Sequence, residues 1–247
     1  MIAEQEERAA VRGHPSYVWR FGQDRRLALV RRYVPLENRR ILDIGCGLGM
    51  YVRKFRELSD EVYGIDVEFE RVAQGSKSVP HLAVARGEDL PYRDCTFDVV
   101  FLNEVLEHVD DDAQTIREAT RVLRPGGYIV IFVPNRLYFF ETHGFYLGKK
   151  YVFRLLPLVN WLPDPLRRIF VPHVRAYLSS DLRRLWRGLG LAEIEHNYVF
   201  PGFDNIVARR PILGRLLRAV FYFMERTPFR AFGLSHFLVL QNIAGEG

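Results

Sequence analysis

The stretch RRILDIGCGLG, residues 39–49, followed by EVYGID at 61–66, decides how this chain reads. Residues 41–44 form an apolar run broken only by Asp43, and the run stops at Gly45, the pattern of a short parallel strand buried on both faces. Gly45, Gly47 and Gly49 then clear side chains from a tight turn, so that a ligand approaches the backbone. A helical stretch over roughly 48–58 leads to a second strand, 61–66, which ends in Asp66. A carboxylate at that place accepts hydrogen bonds from the two hydroxyls of a ribose. The loop lacks the Lys-Ser/Thr pair of a phosphate-binding P-loop, and residues 50–53 offer no third glycine of the dehydrogenase spacing. The stretch therefore predicts a site for a nucleotide-like cofactor.

Outward from this stretch, strands and helices alternate. A helix is expected near 23–33 within an N-terminal lead-in segment, 1–37. HLAVAR (81–86), FDVVFLN (97–103) and YIVIFVP (128–134) read as further strands, and a helix over about 112–123 stops at Arg124-Pro125-Gly126-Gly127. This order predicts an α/β fold, a doubly wound, mostly parallel sheet, with the cofactor-binding core at 38–135 of a single domain, 1–247. Residues 135–176 carry aromatics, prolines and scattered basic groups without a period, and are expected to form a cap over the mouth of the site. In 177–247, SSDLRRLWRGLGL (179–191) predicts a helix ended by Gly190, residues 191–200 a sixth strand and 236–241 a last one. ILGRLLRAVFYFM (212–224) is a cationic amphipathic helix within an aromatic and basic segment, 206–232.

The chain has 247 residues, 48% of them hydrophobic, with a formal charge of +5. That is ordinary for a globular protein, and no run reaches the ~18 apolar residues of a membrane span. The first fifteen residues are charged and lack an apolar signal core, so a cytoplasmic location is expected. Cys46 and Cys95, the two cysteines, lack metal-type spacing and are expected to be reduced thiols. Acids are frequent up to Asp112 while arginines dominate from Arg154 to Arg230, so the positive charge belongs to the second half.

The motifs LDIGCGLG, YGID, GEDLPYRDCTFDVV, FLNEVLEHV and RVLRPGGYIVIFVPN stand in order between residues 39 and 135. In this the chain resembles the class I S-adenosylmethionine-dependent methyltransferases, in particular their type 11 group, which includes the ubiquinone-pathway O-methyltransferases. The resemblance implies a Rossmann-like sheet of about seven strands with a last antiparallel strand, and S-adenosylmethionine as cofactor. It implies that Gly45, Gly47 and Gly49 line the methionine part, that Asp43 orients the loop or the amino group, and that Asp66 holds the ribose. Glu88 and Asp89 would contact the adenine, Asn103 would lie beside the sulfonium, and Tyr17 and Arg20 are candidates to cover the cofactor. Relatives often carry an acid two positions before Glu88, where this chain has Arg86 and Gly87.

For the acceptor, two groups of side chains stand out. On a helical turn Glu104, Glu107 and His108 share one side, a set suited to a divalent ion such as magnesium. This resembles the Glu-x-x-Glu-His metal site of the ubiquinone-pathway enzymes and of enzymes that methylate the 2′-hydroxyl at small-RNA ends; His173 occupies the place of a further histidine in the RNA branch. Packing of these residues without metal is the competing expectation. The second group is Glu141 and His143, a candidate acid–histidine base within the cap. The leading expectation is methylation of a hydrophobic or lipid-linked small molecule, at oxygen, with peripheral membrane contact through 206–232. RNA 2′-O-methylation is the alternative, disfavoured because the aromatics interleave with aliphatics rather than lying on a basic platform. DNA is not an expected partner. A cofactor-binding regulatory protein without turnover is the non-enzymatic alternative.

Overall fold

The computed structural model describes residues 19–244. Its first half runs α1 (Phe21–Tyr33), β1 (Ile41–Ile44), α2 (Met50–Phe55), β2 (Val62–Asp66), α3 (Phe69–Gly75), β3 (Leu82–Val84), β4 (Phe97–Asn103), α4 (Asp112–Val122) and β5 (Leu123–Pro134). The sequence FERVAQG of α3 has too few apolar positions to display a period, and the helix is added by the fold. The cap contains β6 (Phe140–Glu141), β7 (Phe145–Leu147), β8 (Lys150–Val152), β9 (Leu156–Pro157) and α5 (Asp164–Phe170). Then follow α6 (Ser179–Trp186), β10 (Leu191–Val199), α7 (Asp204–Arg209), α8 (Pro211–Met224) and β11 (Ser235–Asn242). Helix α6 is shorter than expected: the chain takes positive φ at Gly188, before Gly190.

The seven-stranded sheet has the order β10-β11-β5-β4-β1-β2-β3. β1 pairs in parallel with β2 on one side and β4 on the other, and β11 is antiparallel to both β5 and β10. Alternation along the strands sends successive side chains to opposite faces. From β4, Val99 and Phe101 join Val30, Val52 and Phe55 on the α1/α2 face, while Val100 and Leu102 join Ile116, Ala119, Leu182 and Trp186 on the α4/α6 face. Both faces are dry, which is why these strands read as unbroken apolar runs.

Besides α5, the cap holds two small antiparallel ribbons that the sequence does not announce, β6 with β9 and β7 with β8, over a cluster of Phe145, Val159, Val171 and Val174. Strands of two or three residues are too short to show an alternation in sequence.

One buried pair couples the sheet to pH. His236 on β11 directs Nε2 to the Tyr177 carbonyl at 2.8 Å, so that nitrogen carries the proton, and its Nδ1 faces His196 Nε2 at 3.0 Å. Burial, and then His196, lower the His236 pKa from the ordinary 6.5 to about 4, against the opposing pull of the Tyr177 carbonyl. The folded pKa lies below the unfolded one, so this stability is complete above 6.5 and is lost as pH falls toward 4. Urea unfolding should therefore show a loss on the order of 2 kcal/mol between about pH 7 and pH 5. His236→Gln should flatten that difference, whatever its effect on absolute stability; an unchanged slope would remove His236 as the cause.

Candidate cofactor and acceptor site

The chain reverses its course across the sheet between β1 and β4, and ligands of such sheets bind outside the carboxyl ends of the strands at that point. A cavity of about 540 Å³ opens there. Gly45 has φ +72°, and a Cβ would stand 2.4 Å from a methyl of Val105. Gly47 lines the cavity with nothing within 4 Å of where a Cβ would point. Gly49 does not line it: it starts α2 at φ +78° and packs against Val79 and Leu82, so its role is packing rather than ligand contact.

Asp66 lines the cavity and pins the loop, accepting from the Gly47 N–H at 2.8 Å and the Glu68 N–H at 2.9 Å. Each of its oxygens keeps a further acceptor direction for a ligand hydroxyl. Asp43 also lines the cavity while being only 3% exposed. Burial, and then the neighbouring Asp66, push its carboxyl well above the usual range. A ligand cation bound beside it would favour the charged form again. Glu88 lines the far end, where its Oε1 accepts from the Asp110 N–H at 2.9 Å. Asp89 is exposed and outside the cavity, bridging back to Arg86, so of the two residues expected at the adenine only Glu88 lines the cavity.

The N-terminal side is contributed by residues that sequence reasoning missed. Gln23 and Arg26 of α1 line the cavity. The Arg26 guanidinium donates to Asn103 Oδ1 at 2.6 Å, Glu104 Oε1 at 2.7 Å and Ser235 Oγ at 3.1 Å, and lies over the Phe132 ring. It thus fixes Asn103, which lines the cavity. Arg20 instead reaches Asn205 on the surface, and Tyr17 lies outside the described residues. One arginine of an arginine-rich helix carries no sequence signal that sets it apart.

The NEVLEHV segment is not the helical turn expected. Glu104 adopts φ +56°, and Arg175 and Tyr177 hold the following carbonyls of Leu106, Val109 and Asp110. The i, i+3 relation is therefore lost, and Glu104 turns to Arg26 and Ser235. Burial opposes its charge, but Arg26, then His143 and the Ser235 hydroxyl outweigh this and hold its carboxyl low. Glu107 is buried, and neither of its oxygens has a hydrogen-bond partner among the described residues. Burial, and then Glu104, push it well above the ordinary range. Donor atoms of Glu107, His108 and His143 lie within 4.8 Å of one another. His143 thus replaces Glu104 in the candidate metal set.

From the cap, His143 reaches the cavity while Glu141 and His173 do not. Glu141 is buried behind His143, accepting from its Nδ1 at 2.8 Å and from the Arg167 guanidinium at 2.9 Å. Burial alone would raise this carboxyl, yet hydrogen bonding and charge from His143, with Arg167, bring it down to about 2. A carboxylate only accepts, so His143 Nδ1 carries a proton, and the lone pair of the neutral ring falls on Nε2. Arg167 is itself clamped by Asn160 Oδ1 and the Val174 carbonyl. His173 packs beneath, its Nε2 3.4 Å from the His143 carbonyl and its ring against Tyr146 and Tyr151, so it supports His143 rather than meeting a substrate.

Fold and cavity together define a Rossmann-like protein with a nucleotide-type cofactor cleft. A family model described as a methyltransferase domain matches residues 42–131. The ubiquinone biosynthesis O-methyltransferase of Aromatoleum aromaticum is 31% identical over 181 residues, covering 69% of this chain and 71% of the relative. That of Mesorhizobium japonicum is 36% identical over 146 residues, 56% of this chain and 55% of the relative. An S-adenosylmethionine-dependent methyltransferase structure from Mesorhizobium loti shares the fold, with a TM-score of 0.58 at 18% identity over 87% of this chain and 96% of that one. The chain belongs to the S-adenosylmethionine-dependent methyltransferases. It spans about half the length of most of the curated relatives it matches.

The residues present fit the family's cofactor. Asp66, at the cavity with acceptor directions to spare, would hold the ribose hydroxyls, and the buried Asp43 carboxyl would pair with the ammonium of the methionine part. Asp66→Ala removes both the loop anchor and a charged acceptor, and should weaken S-adenosylmethionine binding roughly 10- to 100-fold in calorimetry. Asp89→Ala should leave binding unchanged; equal effects of the two would refute this division.

Proposed function

We propose that this chain transfers a methyl group from S-adenosylmethionine to an oxygen of a hydrophobic or lipid-linked small molecule. When bound, the cofactor supplies an electrophilic methyl on a sulfonium, with a leaving group already in place. What remains for the protein is to align the acceptor and take its proton. The observation that carries the reading is His143, which lines the cavity and is hydrogen-bonded through Nδ1 to the buried Glu141, so that the neutral ring would take a proton at Nε2. A hydroxyl acceptor must lose a proton to become a good nucleophile, which is what a carboxylate-oriented imidazole provides. Glu141 and Arg167 act through His143 as positioning residues. Phe153, at the cavity, and the aromatics of the cap favour an apolar acceptor. The names of the ubiquinone-pathway relatives, O-methyltransferases, accord with this.

A second reading places a divalent ion on Glu107, His108 and His143. It is favoured by the Glu107 oxygens, since a buried carboxyl without a partner is costly. One carboxylate and two imidazoles suit manganese, iron or zinc better than magnesium, which prefers oxygen ligands.

With labelled cofactor and small-molecule, lipid and RNA fractions as acceptors, label should enter a product of the apolar fraction through an O-methyl linkage. Label in RNA alone would support the alternative substrate, and cofactor binding without any product would support a regulatory role. His143→Ala should lower transfer ~10²- to 10⁴-fold with cofactor affinity intact. Chelator treatment separates the two readings: unchanged turnover keeps His143 as the base, whereas a loss restored by manganese assigns it to the metal.

A further inference from the structure

We propose that the face formed by α8, the following Pro228–Phe232 turn and the outer edge of the cap docks on an anionic lipid bilayer. A surface helix ordinarily turns its apolar side inward. α8 does the reverse: Ile212 is 85% exposed, Leu216 60%, Val220 49% and Phe223 67%, and Gly214 is its one buried residue. The helix is nonetheless held in place. Gly214 packs on Val207 of α7, and Arg218 binds the Gly202 carbonyl and Asp204 and lies over Phe21. Arg218 is therefore a tether.

The apolar surface continues past the helix. Phe229 and Phe232 are exposed, Phe232 meets Trp161 at 6.3 Å between rings, and Trp161 meets Phe139 at 5.7 Å. Exposed apolar area this extensive marks an interaction surface. Charge selects the partner. Arg209, Arg210, Arg215, Arg226 and Arg230 are exposed, and no ion pair involves them among the described residues. The acids of the same segment are committed elsewhere, Asp204 to Arg218 and Glu225 to Arg25. Apolar side chains flanked by uncompensated arginines match an interface of acyl chains beneath anionic head groups. No helix among the described residues is long and apolar enough to cross a membrane, so α8 lies on the bilayer.

The face ends close to the site: Leu234, two positions after Phe232, lines the cavity, as does the exposed Phe153 of the cap. Docking therefore sets the cavity near the bilayer, and the corollary that the acceptor enters from it rests on the methyl-transfer reading above.

The test is co-sedimentation of the full chain with vesicles of phosphatidylcholine alone or mixed with phosphatidylglycerol. Binding to the mixed vesicles, weakened by salt, is expected. Replacing Arg209, Arg210 and Arg215 by Gln should loosen it on the order of 100-fold, each arginine counting for roughly fivefold. Leu216→Ser with Phe223→Ser should abolish it while cofactor affinity, measured on the same samples without vesicles, stays unchanged. No binding, or binding indifferent to lipid charge and to both sets of substitutions, overturns the proposal. So does a concentration-dependent dimer that Phe223→Ser dissolves, with no vesicle binding. Because docking is read without turnover, its failure is distinct from failure of methyl transfer.

Discussion

The structure depends on β1 being gripped in parallel from both sides, by β2 and β4, with both its faces buried. Four residues, Ile41–Ile44, are enough because their neighbours pair in strict register and close apolar layers above and below. Where that strand ends, backbone groups lose their sheet partners at the place where the chain reverses direction. Cys46 donates back to the Ile65 carbonyl and Gly47 to Asp66, so the glycine loop is tied to the end of β2. The cleft follows from this: the strand ends of β1, β2 and β4 open on one side, while α1 and α2 cover one face of the sheet and α4 and α6 the other.

Within that cleft, carboxyl groups of the same chemistry meet different fates. Asp43 and Glu107 are pushed up by burial and by a neighbouring acid, while Arg26 and other partners hold Glu104 down. Glu141, nearly as buried, is brought to about 2 because His143, its backbone and Arg167 supply hydrogen bonds and charge. The distinction is partner geometry, since burial alone penalises every one of them.

Much of the core was legible in the sequence because its signals are local. The strand Phe97–Asn103 matches its apolar run residue for residue, and the break at the glycine loop follows from backbone conformations that few residues adopt, whereas residues 124–127, expected to separate helix from strand, lie inside β5 after α4 ends at Val122. The acceptor side was not legible in the same way. Spacing in NEVLEHV suggested a helical face shared by Glu104, Glu107 and His108, but the left-handed Glu104 breaks it, and a histidine from the cap joins the other two instead. Likewise Arg26 and Arg167 sit among other arginines in their helices, with nothing local to separate them from surface charges.

The sequence by itself determined the order of the central-sheet strands, the glycine loop and the acid at the end of the second strand, since each rests on periodicity or on a conformational need expressed within a few residues. Only the tertiary structure decided that Arg26 clamps Asn103, that Glu141 and Arg167 stand behind His143, and that α8 is held with its apolar face outward. Arg26 and Asn103 stand 77 positions apart and Glu141 and Arg167 26, and local sequence carries no record of which distant partner removes the cost of a buried charge.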